Sequence, residues 1–182
     1  MRVINCLGTA FMLSAICCFG SSQASLAVGN ESSASTSAGY TITLTQPTNP
    51  FSLDSTIRVI MTVKNTTHGD VLWRAVRGAD GDKDSWYPEF RFLLKKEGKE
   101  VETTFFHRKI SGRQRPNDPV EVWSGSTILL PMPPGIMFKI TVDLKRLYQI
   151  TEPGQYTLEI SRIAEDDKTI IHSNTVTFSV VP

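Results

Sequence analysis

Three aspartates stand at alternate positions in "GADGDKDSWYPEF", residues 78 to 90: Asp80, Asp82 and Asp84. Calcium loops present carboxylates at this spacing to collect the ion's oxygen ligands. Counted from Asp80, a helix-loop-helix calcium site needs Gly at its sixth position and a bidentate Glu at its twelfth. This chain has Ser85 and Arg91 there, and Lys83 opposes a cation from inside the loop. An irregular site built on Asp80, Asp82, Asp84 and Glu89 is the form a metal centre would take, set against a plain solvated turn.

Other reactive groupings are sparse. His68, His107 and His172 lie in separate segments, whereas zinc or copper needs at least about three convergent ligands. All three cysteines, Cys6, Cys17 and Cys18, fall near the start of the chain. No serine sits in a Gly-x-Ser-x-Gly elbow, and the acidic run "AEDDK" (Ala164 to Lys168) has the composition of a hairpin tip. The sequence therefore predicts no catalytic set and no cofactor.

Binding chemistry is better represented. "HRKISGRQR" gathers Arg108, Lys109, Arg113 and Arg115 into nine residues, a patch suited to an anionic surface. The competing expectation is a solvated strand end and loop balanced by Glu100 and Glu102. Trp73, Trp86, Tyr87, Phe105, Phe106 and Trp123 offer rings for sugar stacking. Among them the Trp86-Tyr87 pair, beside the acidic loop, is the one expected to be partly exposed. Two tripeptides, Asn30-Glu31-Ser32 and Asn65-Thr66-Thr67, match the N-glycosylation pattern.

What positions these residues is read from the rest of the chain. Arg2, the apolar run Cys6 to Phe19 and the small residues of Ser22-Gln23-Ala24 form an export signal, expected to be cleaved after Ala24, with Ala27 as second choice. Residues 25–39, "SLAVGNESSASTSAG", have little to bury and read as a flexible leader. Export would remove every cysteine, so burial alone must stabilise the domain. It also leaves 18 basic against 18 acidic residues once Arg2 is gone. That balance disfavours nucleic acid as the partner, and no later apolar stretch is long enough for a membrane span. The expected location is secreted or periplasmic.

From residue 40 to 182 the texture is that of an antiparallel β protein: short runs rich in Thr, Val, Ile and Phe, interrupted by Pro, Gly, Asn or Asp. "STIRVIMTVKNTT" puts Ile57, Val59, Met61 and Val63 on one face, the period of a strand lying over a core. "EFRFLLKKEGKEVETTFFHRKI" reads as a hairpin turning at Glu97-Gly98, with Phe90, Phe92 and Leu94 on one face. Residues 111–121, "SGRQRPNDPVE", read as a loop, and Asp143 to Tyr148 as one helical turn after a strand carrying Phe138, Ile140 and Val142. Seven to nine strands in one all-β, antiparallel two-sheet sandwich is the predicted fold.

In "EPGQYTLEI" a Pro-Gly turn is followed within two residues by Tyr156, resembling the corner at which immunoglobulin-like domains enter their penultimate strand. That resemblance implies a Tyr156 ring in the core and a hydroxyl bonded to backbone upstream. Together with "LLPMPPGIMFKITVDL" and "SNTVTFSVV", the pattern over residues 40–181 is similar to bacterial secreted immunoglobulin-like modules. More loosely, it is similar to the sandwich of bacterial intracellular proteinase inhibitors. The leading functional expectation is an exported, non-catalytic binding or structural module acting on a protein or glycan through loops or a sheet edge. The alternatives are an extracellular protease inhibitor using residues 111–121 and a glycan-binding domain. Trp86, Tyr87, Arg108, Lys109, Arg113 and Arg115 are the expected contact residues.

Overall fold

A computed structural model of the chain describes residues 39–46, 49–78, 87–121 and 125–182, with the backbone alone at 76–78 and 125. The expected export signal, Asp80, Asp82, Asp84 and Trp86 therefore lie outside the described residues. In chain order the first strands are β1 (Tyr40–Thr45), β2 (Phe51–Ser52), β3 (Arg58–Asn65), β4 (Val71–Gly78), β5 (Arg91–Lys96) and β6 (Lys99–Glu100). A single 3-10 turn, Tyr87–Glu89, precedes β5. Helix α1 (Phe105–Ile110), β7 (Gly125–Met132), β8 (Met137–Asp143), α2 (Leu144–Leu147), β9 (Gly154–Ile163), β10 (Ile170–His172) and β11 (Val176–Val181) follow.

The strands form an all-β sandwich. One sheet has the order β1-β3-β8; the other runs β2-β11-β9-β5-β6, with β10 also paired to β9. Every pairing is antiparallel except β2 with β11. Alternation drives the layering, because successive side chains of a strand leave on opposite faces. Tyr40, Ile42 and Leu44 of β1 and Val59, Met61 and Val63 of β3 bury against Phe92, Leu94, Tyr156, Leu158, Ile160 and Phe178 of the facing sheet. Each such side chain contributes roughly 1.5–3 kcal/mol.

Strand length and sheet number depart from expectation in detail. There are eleven strands among the described residues, three of them only two or three residues long. A third, two-stranded ribbon of β4 and β7 stands apart from both sheets. Its inner side packs Trp73 and Ala75 into the core. Among the described residues no strand pairs with Arg74 on the edge away from β7, and its N–H donates to the Glu165 carboxylate at 3.0 Å. The hairpin tip between β9 and β10 covers that edge with side chains.

The stretch "TTFFHRKISG" corrects the hairpin reading. The return strand after Glu97 and Gly98 is only β6, two residues long, and Phe105–Ile110 is a helix. The turn itself is as expected: Glu97 (φ 50) and Gly98 (φ 83) both adopt the left-handed conformation of a type I′ hairpin. Thr104 caps α1, its side chain accepting from the His107 N–H at 3.2 Å. Gly112 (φ 66) follows the helix end, and Arg108 and Lys109 occupy the last turn, where positive charge suits the helix dipole.

The Tyr156 corner and the helical turn are borne out. Tyr156 is buried, and its hydroxyl donates to the Glu152 carbonyl at 2.6 Å. Gly154 takes φ 151, and a Cβ there would stand 2.7 Å from Lys96 Cε. α2 is the turn expected after β8.

Candidate functional site

The basic stretch splits as soon as it folds. Arg108 Nε and Nη2 donate to the two Asp118 carboxylate oxygens at 2.7 and 2.5 Å, a bidentate pair with both side chains nearly covered. The Arg108 pair and the Arg115 backbone N–H hold the Asp118 carboxyl down to about 2. Lys109 pairs with Glu121 at 2.6 Å and Arg115 with Glu102 at 2.8 Å. Glu102 is one of the balancing acids expected; Asp118 and Glu121, from the loop itself, are the ones that sequence reading missed. Arg108, Lys109 and Arg115 are thus engaged by the protein's own carboxylates. Arg113 has no ion-pair partner among the described residues.

Tyr87 requires a correction. It is buried, 5% exposed, with its ring against Phe92 at 5.7 Å and Phe106 at 6.1 Å between centroids. The 3-10 turn folds it under β5, so the ring that was expected to face a sugar is core. Asn65 is equally occupied. It is 1% exposed, and its Nδ2 donates to Gly69 and Met132 carbonyls at 2.8 and 2.7 Å while its Oδ1 accepts from Thr67. That tripeptide is a structural latch, closed to glycosylation.

Arg113 instead joins a groove of about 490 Å³ formed by the 3-10 turn and start of β5, the exit of α1, and the β9–β10 hairpin. Arg91 and Ser161, register partners across β5 and β9, lie along it, and Ile163 and Ile170, partners across β9 and β10, form an apolar wall. Those two isoleucines are 50% and 51% exposed. Arg91 is exposed and, like Arg113, has no ion-pair partner among the described residues. Phe90 and Phe92 underlie the groove, both buried.

One end of the groove is a fixed ionic cluster. Arg162 is fully buried on β9 and reaches Tyr40 Oη at 2.9 Å, the Arg74 carbonyl at 2.6 Å and Glu165 at 3.0 Å. Glu89 stands 3.5 Å from both Arg162 and Arg74, and Arg74 also pairs with Asp167 at 3.2 Å. Desolvating several charges is tolerable only when all are paired and hydrogen-bonded. Every charge of this cluster has an opposite partner, so the charges are spent internally, although Arg162 Nε is buried without a hydrogen-bond partner among the described residues.

The other end is the wall shared with a second depression of about 550 Å³, lined by Glu100, Glu102, Arg108 and Arg115 as well as His107 and Arg113. His107 packs edge-on between Phe92 and Tyr148, centroids at 6.1 and 5.2 Å. Burial lowers its pKa, and the nearby Arg113 and Arg108 charges push the same way, against a raising hydrogen bond to the Leu147 backbone. Burial thus favours the neutral ring, and its Nδ1 is buried without a hydrogen-bond partner among the described residues. Among the described residues no three His, Cys, Asp or Glu side chains are placed to share a metal ion. Nor is any described helix long and apolar enough to cross a membrane.

No protein-family model and no curated protein matches the chain. Among solved structures, a CARDB domain from Pyrococcus furiosus aligns with 79% of this chain and 94% of its own at 12% identity, with a TM-score of 0.39. A beta-glucosidase from Listeria innocua, in complex with glucose, aligns with 79% of this chain at 13% identity and a TM-score of 0.36. The chain spans 16% of that glucosidase chain.

Proposed function

We propose that the protein is an exported immunoglobulin-like binding module that receives a macromolecular partner in the groove between Arg91, Arg113 and the Ile163–Ile170 pair. The observation that carries this reading is the contrast between spent and unspent groups. Arg74, Arg108, Arg115 and Arg162 are engaged internally, whereas two arginines and two half-exposed isoleucines converge on one concavity. Concave surface with both apolar and convergent polar groups is where binding concentrates. The Tyr156 corner and the shared core of two sheets support the immunoglobulin-like description; the predicted signal supports export.

The test places a photo-crosslinking amino acid at Ile163 or Ile170, with Lys139 on the far sheet as control, and irradiates cells expressing the full chain. A discrete, stoichiometric adduct from positions 163 and 170 but not 139 is expected. No adduct, or equal adducts from all three, would sink the reading.

A further inference from the structure

We infer that the groove recognises a segment of another protein in which a carboxylate is flanked by aliphatic side chains, an inference that rests on the binding-module reading above. Among the described residues four arginines line the concavity and one carboxylate, Glu89, does so. Arg74 and Arg162 are neutralised by Glu89, Glu165 and Asp167, three acids for two bases at that end. Arg91 and Arg113 carry the uncompensated positive charge toward the open part of the groove. The chain as a whole is close to neutral, with a net charge of +1, so this local excess defines the sign of what docks there: an anionic group.

Guanidinium geometry narrows the anion. Planar forks bind carboxylates in bidentate fashion, as Arg108 already does with Asp118 inside this molecule. Low-dielectric surroundings strengthen such a pair, and the Ile163–Ile170 wall supplies them once covered.

The apolar wall decides between protein and acidic glycan. Sugar rings are taken up by flat aromatic faces, and among the described residues the two phenylalanines of this groove, Phe90 and Phe92, are 6% and 5% exposed. What is offered to a ligand is a pair of β-branched aliphatic side chains on adjacent strands, each about half exposed. Branched aliphatics have no ring face to stack on a sugar and match Leu, Ile or Val side chains instead. Acidic residues next to aliphatic ones, on a protein segment, satisfy both halves of the groove at once.

The exported product of the full chain is panned against a phage library of random dodecamer peptides, in parallel with an R91E/R113E variant and an I163D variant. Arg91, Arg113 and Ile163 are exposed enough for all to fold, which thermal melting verifies. Enriched peptides carry Asp or Glu beside Leu, Ile or Val. A synthetic consensus peptide loses at least tenfold in affinity on R91E/R113E, and a version with its acids exchanged for Lys binds that variant better than the original does. Peptides with no acidic bias whose binding is abolished by I163D would overturn the inference while leaving the groove as the binding site. Peptides indifferent to both variants would overturn the inference and the groove reading together. Polygalacturonate binding that is lost in R91E/R113E and outcompetes every peptide would assign the groove to an acidic glycan instead. No enrichment over a blank support also counts against it.

Discussion

The guanidinium of Arg162 lies 3.6 Å from the centroid of the Trp73 ring, stacked over it with both side chains fully buried. This cation–π contact joins the six-stranded sheet to the β4–β7 ribbon, and the Arg74 carbonyl accepting from Arg162 Nη2 repeats the link. Arg162→Ala removes the fully buried cation that faces Glu165 and Glu89. A loss of about 3–5 kcal/mol in urea denaturation is expected, the cost of breaking one side of a buried pair. Arg162→Met keeps an apolar contact with Trp73 and should lose less. Equal losses for the two would show that packing against Trp73 contributes nothing and that the lost charge and its hydrogen bonds account for the whole cost.

Asn65→Ala should cost about 1–3 kcal/mol, because the Gly69 and Met132 carbonyls each lose their amide donor. Asn65→Asp should cost at least as much, since a carboxylate would face two carbonyl oxygens. Thermal melting of both variants checks this, and a neutral Asn65→Asp would refute the latch.

Tyr156→Phe retains the ring stacked on Phe178, centroids 5.7 Å apart, and loses only the bond to the Glu152 carbonyl. About 1 kcal/mol is expected from denaturant midpoints, well below the cost of Tyr156→Ala, which empties a core position.

Acid should weaken the domain in two stages. Burial lowers the His107 pKa in the fold, so below the usual value of 6.5 the unfolded chain binds more protons than the native one, and stability falls with pH from there. Arg108, Arg113 and the edge of Tyr148 surround the ring, and none of them welcomes a second cation. The second stage belongs to Asp118 and Asp166, each held down to about 2 from 3.8 by hydrogen bonds to its carboxylate, so their contribution is present above 3.8 and lost as pH falls toward 2. Melting temperatures between pH 8 and pH 2 should show both stages. His107→Gln should flatten the upper one and leave the lower.

Mass spectrometry of protein recovered outside the cytoplasm should give a chain beginning at Ser25, free of all three cysteines. A product beginning at Val28 would move the cleavage to Ala27. A chain retaining Met1 in the cytoplasm would refute export, and with it the compartment in which the groove is proposed to act.

Part of this protein is written locally, and that part was legible. Alternation in Ile57, Val59, Met61 and Val63, the turn at Glu97-Gly98 and the corner at Pro153-Gly154-Tyr156 each depend on residues a few positions apart, because backbone dihedrals and strand period are short-range properties. Helix α1 was also written locally, in its Thr104 cap and Gly112 exit, but two phenylalanines and a preceding threonine pair have strand preference, and six residues are too few for helical period to show. Charge pairing lies beyond such reading. Arg162 meets Tyr40 across 122 positions and Arg74 across 88, and Asp118, Glu121 and Glu102 pair with Arg108, Lys109 and Arg115, leaving Arg113 without an ion-pair partner among the described residues. From sequence, Tyr87 and Arg108 looked as available as Arg113. Which side chains are buried, which charges cancel and which remain to face a partner are properties of segments brought together by sheet order, and only the tertiary structure decided them.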